Sequence, residues 1–339
     1  MRILNIEASY FTRVFRKLGH DVLSIGPGRD CDVVLDAPLT ARNLFELLRT
    51  RDFWPDLALW ADGCRPPSVL GLELLPCVTI GYSIDQYCNP WHVPWSISFD
   101  HMFLAQKDYV PLFEQAGLPR RAEWLPLFFD PSGVGDGGVE RDIPVSFVGT
   151  VTGSINRRRK DFLGAVRVGV PVVVRAGNYY PIYGRSQIVL NQSAVGEANF
   201  RIFEGAGCGA LVVTESIANG FDELFRAGEE IAVYERGNVQ DAVRVCRELL
   251  ADPDRLRRMA EAGRRRVLRD HTTVARAKRI LDVASALGRT RSWDWRGKQA
   301  DRVARELGKM CVFLGLDQEL PLPRDMARGF TRMGLSRLG

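Results

Sequence analysis

Short apolar runs alternate with segments of helical period through most of this chain, and the alternation breaks once, at residues 131–142. Arg2–Glu7 (RILNIE) reads as a buried first strand. Phe11, Val14, Phe15 and Leu18 then share one helical face, Gly19-His20-Asp21 stops that helix, and Val22–Ile25 opens a second strand. Strand, helix and strand in so few residues make a parallel crossover unit. Further strands are expected at Asp56–Trp60, Cys77–Tyr82, Phe99–Ala105 and Trp124–Phe129, with helices at Leu44–Leu48 and Val110–Ala116. PSGVGDGGVERD (131–142) holds Pro, Gly and Asp with no apolar period, which marks a linker. A second series follows, with strands at Pro144–Val148, Pro171–Arg175, Gln187–Leu190, Ala210–Thr214 and Glu230–Tyr234. Its helices are Arg157–Val166, Phe200–Ala206, Asp222–Arg226, Val239–Leu250, Arg255–Arg269 and Thr273–Ala286. The pattern predicts an α/β protein of two Rossmann-like domains facing a central cleft, residues 1–130 and 143–286, with ligands at the carboxyl ends of the strands. Residues 287–339 form a separate C-terminal segment.

Composition narrows the class. With 46% hydrophobic and 26% charged residues in 339, the chain is ordinary globular material, not a disordered or disulfide-scaffold protein. Its longest apolar runs, such as Val168–Val174, fall far short of a membrane helix. Glu7 interrupts what a secretory signal would keep apolar. Seven cysteines without a CxxC pair read as reduced thiols, so a cytoplasmic location is expected. The net charge of +5 is local: residues 286–339 hold 11 basic against six acidic side chains, and the rest is neutral. A basic segment attracts phosphates, nucleic acid or an anionic surface, or is a solvated helical face.

The stretch VGEANFRIFEGAGCG (195–209) carries the densest chemistry. A loop with Glu197, Asn199 and Arg201 leads into a helix with Glu204 on an otherwise apolar turn. A carboxylate there is costly without partners. It suits the two hydroxyls of a ribose, or pairs with Arg201 three residues before. Thr214 and Glu215 follow the next strand and are further candidates to line a pocket. The loop from Gly149 and Thr150 to Ser154 follows a strand and precedes a helix, so its N–H groups suit a diphosphate. The basic run Arg157, Arg158, Arg159 and Lys160 comes next, with Arg158 the candidate to neutralise it.

FEGAGCGALVVTES, GFDELF, GEEIAVY and ADPDRLRRMAEAGRRRVLRDHTTVARAKRIL, in that order, resemble the C-terminal half of group 1 glycosyltransferases of GT-B fold. The likeness is strongest to the CgeB-like, spore-maturation-type branch. It extends upstream through VSFVGT, RRRKDFL and IVLNQS, so that its strong part covers about 144–283, and more loosely through LGHDVLSIG, YSIDQY and WLPLFFDP. The resemblance implies a sugar moved from a nucleotide-diphosphate donor, UDP by family frequency, with Glu204 on the donor ribose. It also implies that a C-terminal helix over 299–314 crosses back to the first domain, ahead of a loose tail bearing Arg324, Arg328, Arg332 and Arg337. The family has two glutamates with seven residues between them; here Glu197 and Glu204 have six, and Gly196 stands where the first would fall. Glu197 is the candidate for sugar contact from a shifted loop.

No metal or other cofactor is expected. Asp30-Cys31-Asp32 spells DxD outside a persuasive loop, and His20, His92, His101 and His271 lack ligand spacing. An inverting transfer needs a base for the acceptor hydroxyl. Glu7, Asp85, His92 and Asp100 are candidates, and Asp85 stands out at a strand end. Glu7, Trp91 and Trp95 are candidates to bind the acceptor, the tryptophans as stacking faces or, alternatively, as core. The acceptor is open: glycan, protein, small molecule or nucleic acid. Two other readings stand beside transfer, a non-catalytic binding or assembly protein and a nucleic-acid-directed enzyme. The second draws on Trp293, Trp295 and Arg296, which interleave aromatic and basic groups.

Overall fold

Seven parallel strands form the first sheet: β1 (Arg2–Glu7), β2 (Asp21–Gly26), β3 (Val33–Val34), β4 (Leu57–Ala61), β5 (Val78–Ser83), β6 (His101–Leu104) and β7 (Ala122–Trp124). Their order is β3-β2-β1-β4-β5-β6-β7. Five parallel strands form the second: β8 (Ile143–Val148), β9 (Val172–Arg175), β10 (Ser186–Asn191), β11 (Leu211–Glu215) and β12 (Ala232–Tyr234), ordered β12-β11-β10-β8-β9. The computed structural model describes residues 1–117, 121–133, 139–153, 156–320 and 322–338. Residues 134–138 of the expected linker, and Ser154, lie outside the described residues.

In each sheet the strand order reverses direction once. The chain leaves β1 for β2 on one side and returns to place β4 on the other; it leaves β8 for β9 and returns to place β10. Diverging crossovers open a crevice at the carboxyl ends of such strand pairs. Glu7 ends β1 and Asp62 follows β4; Gly149 follows β8 and Gln192 follows β10. Two of the candidates, Glu7 and Gly149, therefore stand at the two switch points.

The chain divides into two compact units, Met1–Leu125 with Ala277–Gly339, and Pro126–Arg276. The first break falls at 125/126, ahead of the expected boundary at 130. The reason is local: Phe129 N–H donates to His271 O at 2.8 Å, and Thr273 N–H returns to Phe129 O at 3.0 Å. The stretch expected as a strand over Trp124–Phe129 is thus split, with Trp124 ending β7 and Phe129 joined to the second unit. The later break falls within the helix Thr273–Gly288.

The C-terminal segment is ordered. Helix Ala300–Leu316 packs Val303, Leu307, Met310, Cys311 and Leu314 into the first unit's core. The expected loose tail is instead a second helix, Arg324–Leu338, which meets the first through Gly308, Gly315 and Gly334. Gly334 has no room for a side chain: a Cβ would sit 2.7 Å from Gly308 O. Arg296 is the segment's bolt. It is buried and donates to Glu73 O at 3.0 Å, Leu75 O at 2.8 Å, Cys77 O at 2.9 Å and Asp100 Oδ2 at 2.6 Å, while Trp295 Nε1 donates to Asp100 Oδ1 at 2.9 Å. Trp295 and Arg296 of the aromatic-basic cluster read as a stacking platform are therefore committed to structure, and so is Asp100. Among the described residues no helix is long and apolar enough to cross a membrane.

Candidate functional sites in the two units

In the second unit the loops after β8 and β10 are tied together from beneath by two buried arginines. Arg201, in the first turn of helix Phe200–Gly207, does not pair with Glu204. Its guanidinium lies 3.9 Å from the Phe147 ring centroid and donates to Val148 O at 3.0 Å and Asn191 Oδ1 at 2.8 Å. A Cβ on Gly149 would collide with Arg201 Nη2, so a larger residue after β8 would displace that guanidinium. Arg159 donates to Thr150 O at 3.0 Å, Asn156 Oδ1 at 2.7 Å and Gln192 Oε1 at 3.1 Å. Of the basic run, Arg159 is thus the inward strut, while Arg157, Arg158 and Lys160 are exposed. Arg201, expected to bind the donor directly, is turned inward and positions the loops.

Glu204 is the residue these struts leave without a partner. Among the described residues its carboxylate makes no hydrogen bond or ion pair, although the Arg201 charge lies near enough to be felt. Burial pushes its pKa up to about 7, and Arg201 pulls the other way. Its charge reaches Tyr179, Tyr180 and Tyr183, whose hydroxyls are all held above the usual phenol range, first by burial. Asn199, at the N-cap of the same helix, makes no cap bond, and both polar atoms of its amide are buried without a partner. Half-buried carboxylate and idle amide on one loop-helix junction suit a polar ligand.

Two expected donor residues are otherwise employed. Thr214 is wholly buried and its hydroxyl takes Asn191 Nδ2–H at 2.9 Å, so it stabilises the sheet and reaches no ligand. Glu197 spends both carboxylate oxygens on its own loop, accepting from Ala194 N at 3.0 Å and Val195 N at 2.8 Å, with Arg159 at 3.8 Å. That geometry corrects the expectation of sugar contact: Glu197 shapes the loop. Glu215 accepts from Ser193 N at 2.9 Å and from the Ser193 hydroxyl. With Arg158 it lines a cavity of about 760 Å³.

In the first unit three carboxylates converge. Asp62 is fully buried and is satisfied by Cys64 N at 2.8 Å, Ile84 N at 2.9 Å and Asp85 N at 3.0 Å. Asp85 accepts from the Tyr87 hydroxyl at 2.8 Å and from the Cys64 thiol. Burial and the Asp62 charge hold Asp85 above the usual carboxylate range. Glu7 is 3% exposed, accepts from Ser68 N, and leaves Oε2 buried without a partner. Burial pushes its pKa up to about 7. Glu7 and Cys64 adopt left-handed backbone at φ +72° and +57°, strain that surrounding structure has to hold. Glu7 is therefore too deep to touch an acceptor as expected.

Trp91 and Trp95 are both wholly buried and pack edge-on against Trp60 at 6.0 and 6.2 Å between centroids. They are core, and no sugar stacks on them. His92 is buried with Nδ1 at 2.8 Å from Ser83 Oγ, and burial lowers its pKa to about 3, so it is neutral. An apolar groove of about 640 Å³ lies beside Tyr87, lined also by Val93, Pro94, Leu112, Phe113 and Phe313. Asp32 of the DxD sequence is committed to Ser24 and Arg16. Among the described residues no group of three or more His, Cys, Asp or Glu side chains is placed to hold a metal ion.

Spacing did not reveal Asp62, nor that Arg159 is the inward member of its basic run. A single Asp after LALWA looks like any loop residue, and one arginine in a run of four basic residues has no periodic mark.

Residues 143–282 match the family model described as glycosyl transferase-like. No curated protein sequence matches the chain. The fold is similar to that of a glycosyltransferase from Rickettsia africae, with a TM-score of 0.60 at 14% identity over 84% of this chain and 98% of that one. Sucrose-phosphate synthase from Thermosynechococcus elongatus aligns at 0.61 and 11% identity, over 86% and 100% of the two chains. Anabaena HepE, solved with UDP-glucose, aligns at 0.62 and 12% identity, over 85% and 100%. The family match covers residues 143–282, and the two-sheet fold is that of structures of GT-B architecture.

Proposed function

We propose that the protein moves a sugar from a UDP-linked donor to an acceptor hydroxyl without a metal ion. One observation carries the reading: Glu204, unpaired and poised near pKa 7, stands on the helix that follows the β10 loop. Its oxygens accept the two ribose hydroxyls, contacts that need no counter-ion. Backbone N–H groups of the Gly149–Gly153 loop and the exposed Arg158 meet the diphosphate and stabilise the charge that builds as it leaves. The UDP complex of a protein with this fold supports the choice of nucleotide.

On the acceptor side Asp85 takes the hydroxyl proton in an inverting transfer. It is the outermost of the three carboxylates, and Asp62 and burial raise its proton affinity. The acceptor oxygen bonds to the anomeric carbon, the bond from that carbon to the diphosphate breaks, and UDP departs with the electron pair. The seven free cysteines suit a reducing, cytoplasmic setting. The order FEGAGCG, TES and ELF supports the CgeB-like branch.

The test is UDP release from a panel of UDP-sugars with mixed acceptors, in the presence of a chelator. Release that depends on an acceptor and persists in the chelator is the expected result. Release that requires added magnesium overturns the metal-free mechanism, and binding of UDP-sugars without any turnover favours the non-catalytic alternative.

A further inference from the structure

In the first unit the apolar groove of about 640 Å³ is tied to Asp85 by one short segment of chain. The segment follows β5, and Asp85 stands near its start. The Asp85 carbonyl accepts from Cys88 N at 3.2 Å and from Asn89 Nδ2 at 2.9 Å, which curls the segment back on itself. Gln86, Tyr87, Asn89 and Pro90 of the same segment wall the groove. Tyr87 serves both places, since its hydroxyl donates to Asp85 Oδ1 at 2.8 Å. A molecule seated against Tyr87 is therefore one side chain away from Asp85.

The rest of the lining says what such a molecule is. Helices Val110–Ala116 and Ala300–Leu316 contribute Leu112 and Phe313, which are 47% and 46% exposed. Apolar surface on a concave wall is covered favourably by an apolar ligand, and the volume falls within the range of about 300–1,000 Å³ usual for small-molecule sites. The two charges of the lining cancel, because Lys309 Nζ donates to Glu306 Oε1 at 2.7 Å. Gln86 is the idle polar group. It is 5% exposed, and its Nε2 donates to Ser83 O at 2.7 Å, which fixes the orientation of the amide. Its Oε1 is buried without a partner, an acceptor that calls for a donor. A sugar, with a hydroxyl on nearly every carbon, would lose hydration against these walls and find one idle acceptor in return.

We infer that the groove seats the body of the acceptor, and that this body is a neutral aromatic or aliphatic group with a hydroxyl or N–H of its own. The inference rests on the transfer reading and on Asp85 as its base. The groove only binds: bonds form and break at the anomeric carbon, as written above, and the acceptor's proton goes to Asp85.

Fluorescence titration of the full chain with N-phenylnaphthylamine, a neutral apolar probe with one N–H, tests the groove. Phe313→Ser and Leu112→Ser change exposed side chains, and Val168→Ser, 90% exposed in the second unit, is the control. Circular dichroism checks that all three fold. The wild type and Val168→Ser are expected to bind the probe at one site, and each groove variant about tenfold more weakly, the scale of one apolar side chain. The apolar alcohol p-phenylphenol is expected to displace the probe and to stimulate UDP release from a UDP-sugar, with a higher KM in Phe313→Ser; glucose is expected to do neither. Probe affinity unchanged in both groove variants overturns the inference, and so does stimulation by glucose but not by p-phenylphenol. A wild-type dimer that Phe313→Ser dissociates in sedimentation velocity also overturns it and makes the groove an interface between copies. If UDP does not bind the wild type, the transfer reading falls by itself, and loss of the probe in Phe313→Ser still upholds the groove as a site for a molecule of this kind.

Discussion

Asp62 in the first unit and Glu204 in the second are both carboxylates sunk at the edge of a parallel sheet, yet their surroundings differ completely. Asp62 has three backbone N–H donors and no exposure. Glu204 has no hydrogen-bond donor among the described residues. Backbone amides that converge on an anion offset part of its lost hydration, although burial still holds Asp62 above the usual carboxylate range. An acid left without them is destabilised when charged, and such a site is completed by a ligand that brings donors of its own. The comparison separates a carboxylate that builds a site from one that uses it. Asp62 holds the loops carrying Cys64 and Asp85; on the proposed function, Glu204 is left for the hydroxyls of a donor.

Substitutions can break that division, and the largest effect is expected in the first unit. Asp85→Asn keeps the shape of the side chain but cannot take a proton. Turnover is expected to fall about 10²- to 10⁴-fold with UDP affinity unchanged, as read by steady-state rates and calorimetry. Normal turnover would remove Asp85 as the base. Glu204→Ala is expected to weaken UDP binding by about 10²-fold, the scale of two hydrogen bonds to a charged group. Asp62→Ala strands three buried N–H groups and is expected to cost about 3 kcal/mol or more in urea denaturation. A loss under 1 kcal/mol would mean that water replaces the carboxylate, an outcome the burial of this site opposes.

The smallest effect concerns pH and sharpens the contrast most. Glu7 and Glu204 both have folded pKa values raised from 4.5 to about 7. The folded chain then holds more protons than the unfolded one between those values, so stability falls as pH rises through that window and levels off above it. Glu204→Gln is therefore expected to raise the melting temperature at pH 8 and to leave it nearly unchanged at pH 4. Thermal unfolding of wild type and variant at both pH values checks this. A variant less stable at pH 8 would show that the Glu204 charge is compensated after all.

Much of this was legible before any coordinates. Apart from the short β3 and β7, the strands of both halves sit within a residue or two of their apolar runs, because fully buried parallel strands announce themselves by continuous hydrophobicity. Glu204 was legible for the inverse reason, as one charge on an apolar turn. Side-chain direction was not. Arg201 stands three residues from Glu204, a spacing that permits a pair, but the Phe147 ring and the carbonyl of Val148 draw it inward. Trp91 and Trp95 next to Asp85 looked like a sugar platform, and Trp60 on β4 claims both. Trp60 lies some thirty residues earlier in the chain, so only the sheet order brings them together. The tail at 324–338 looked loose because its arginines dominate the eye, while Phe330 and Gly334 do the packing.

The account turns on Glu204 as the unpaired acid that a nucleotide completes. Calorimetric titration of UDP into the wild type and into Glu204→Ala, in chelator at pH 7, tests that directly. The expected result is one-site binding to the wild type and an affinity lower by about 10²-fold in the variant. Equal affinities, or no binding of UDP to the wild type, would contradict it.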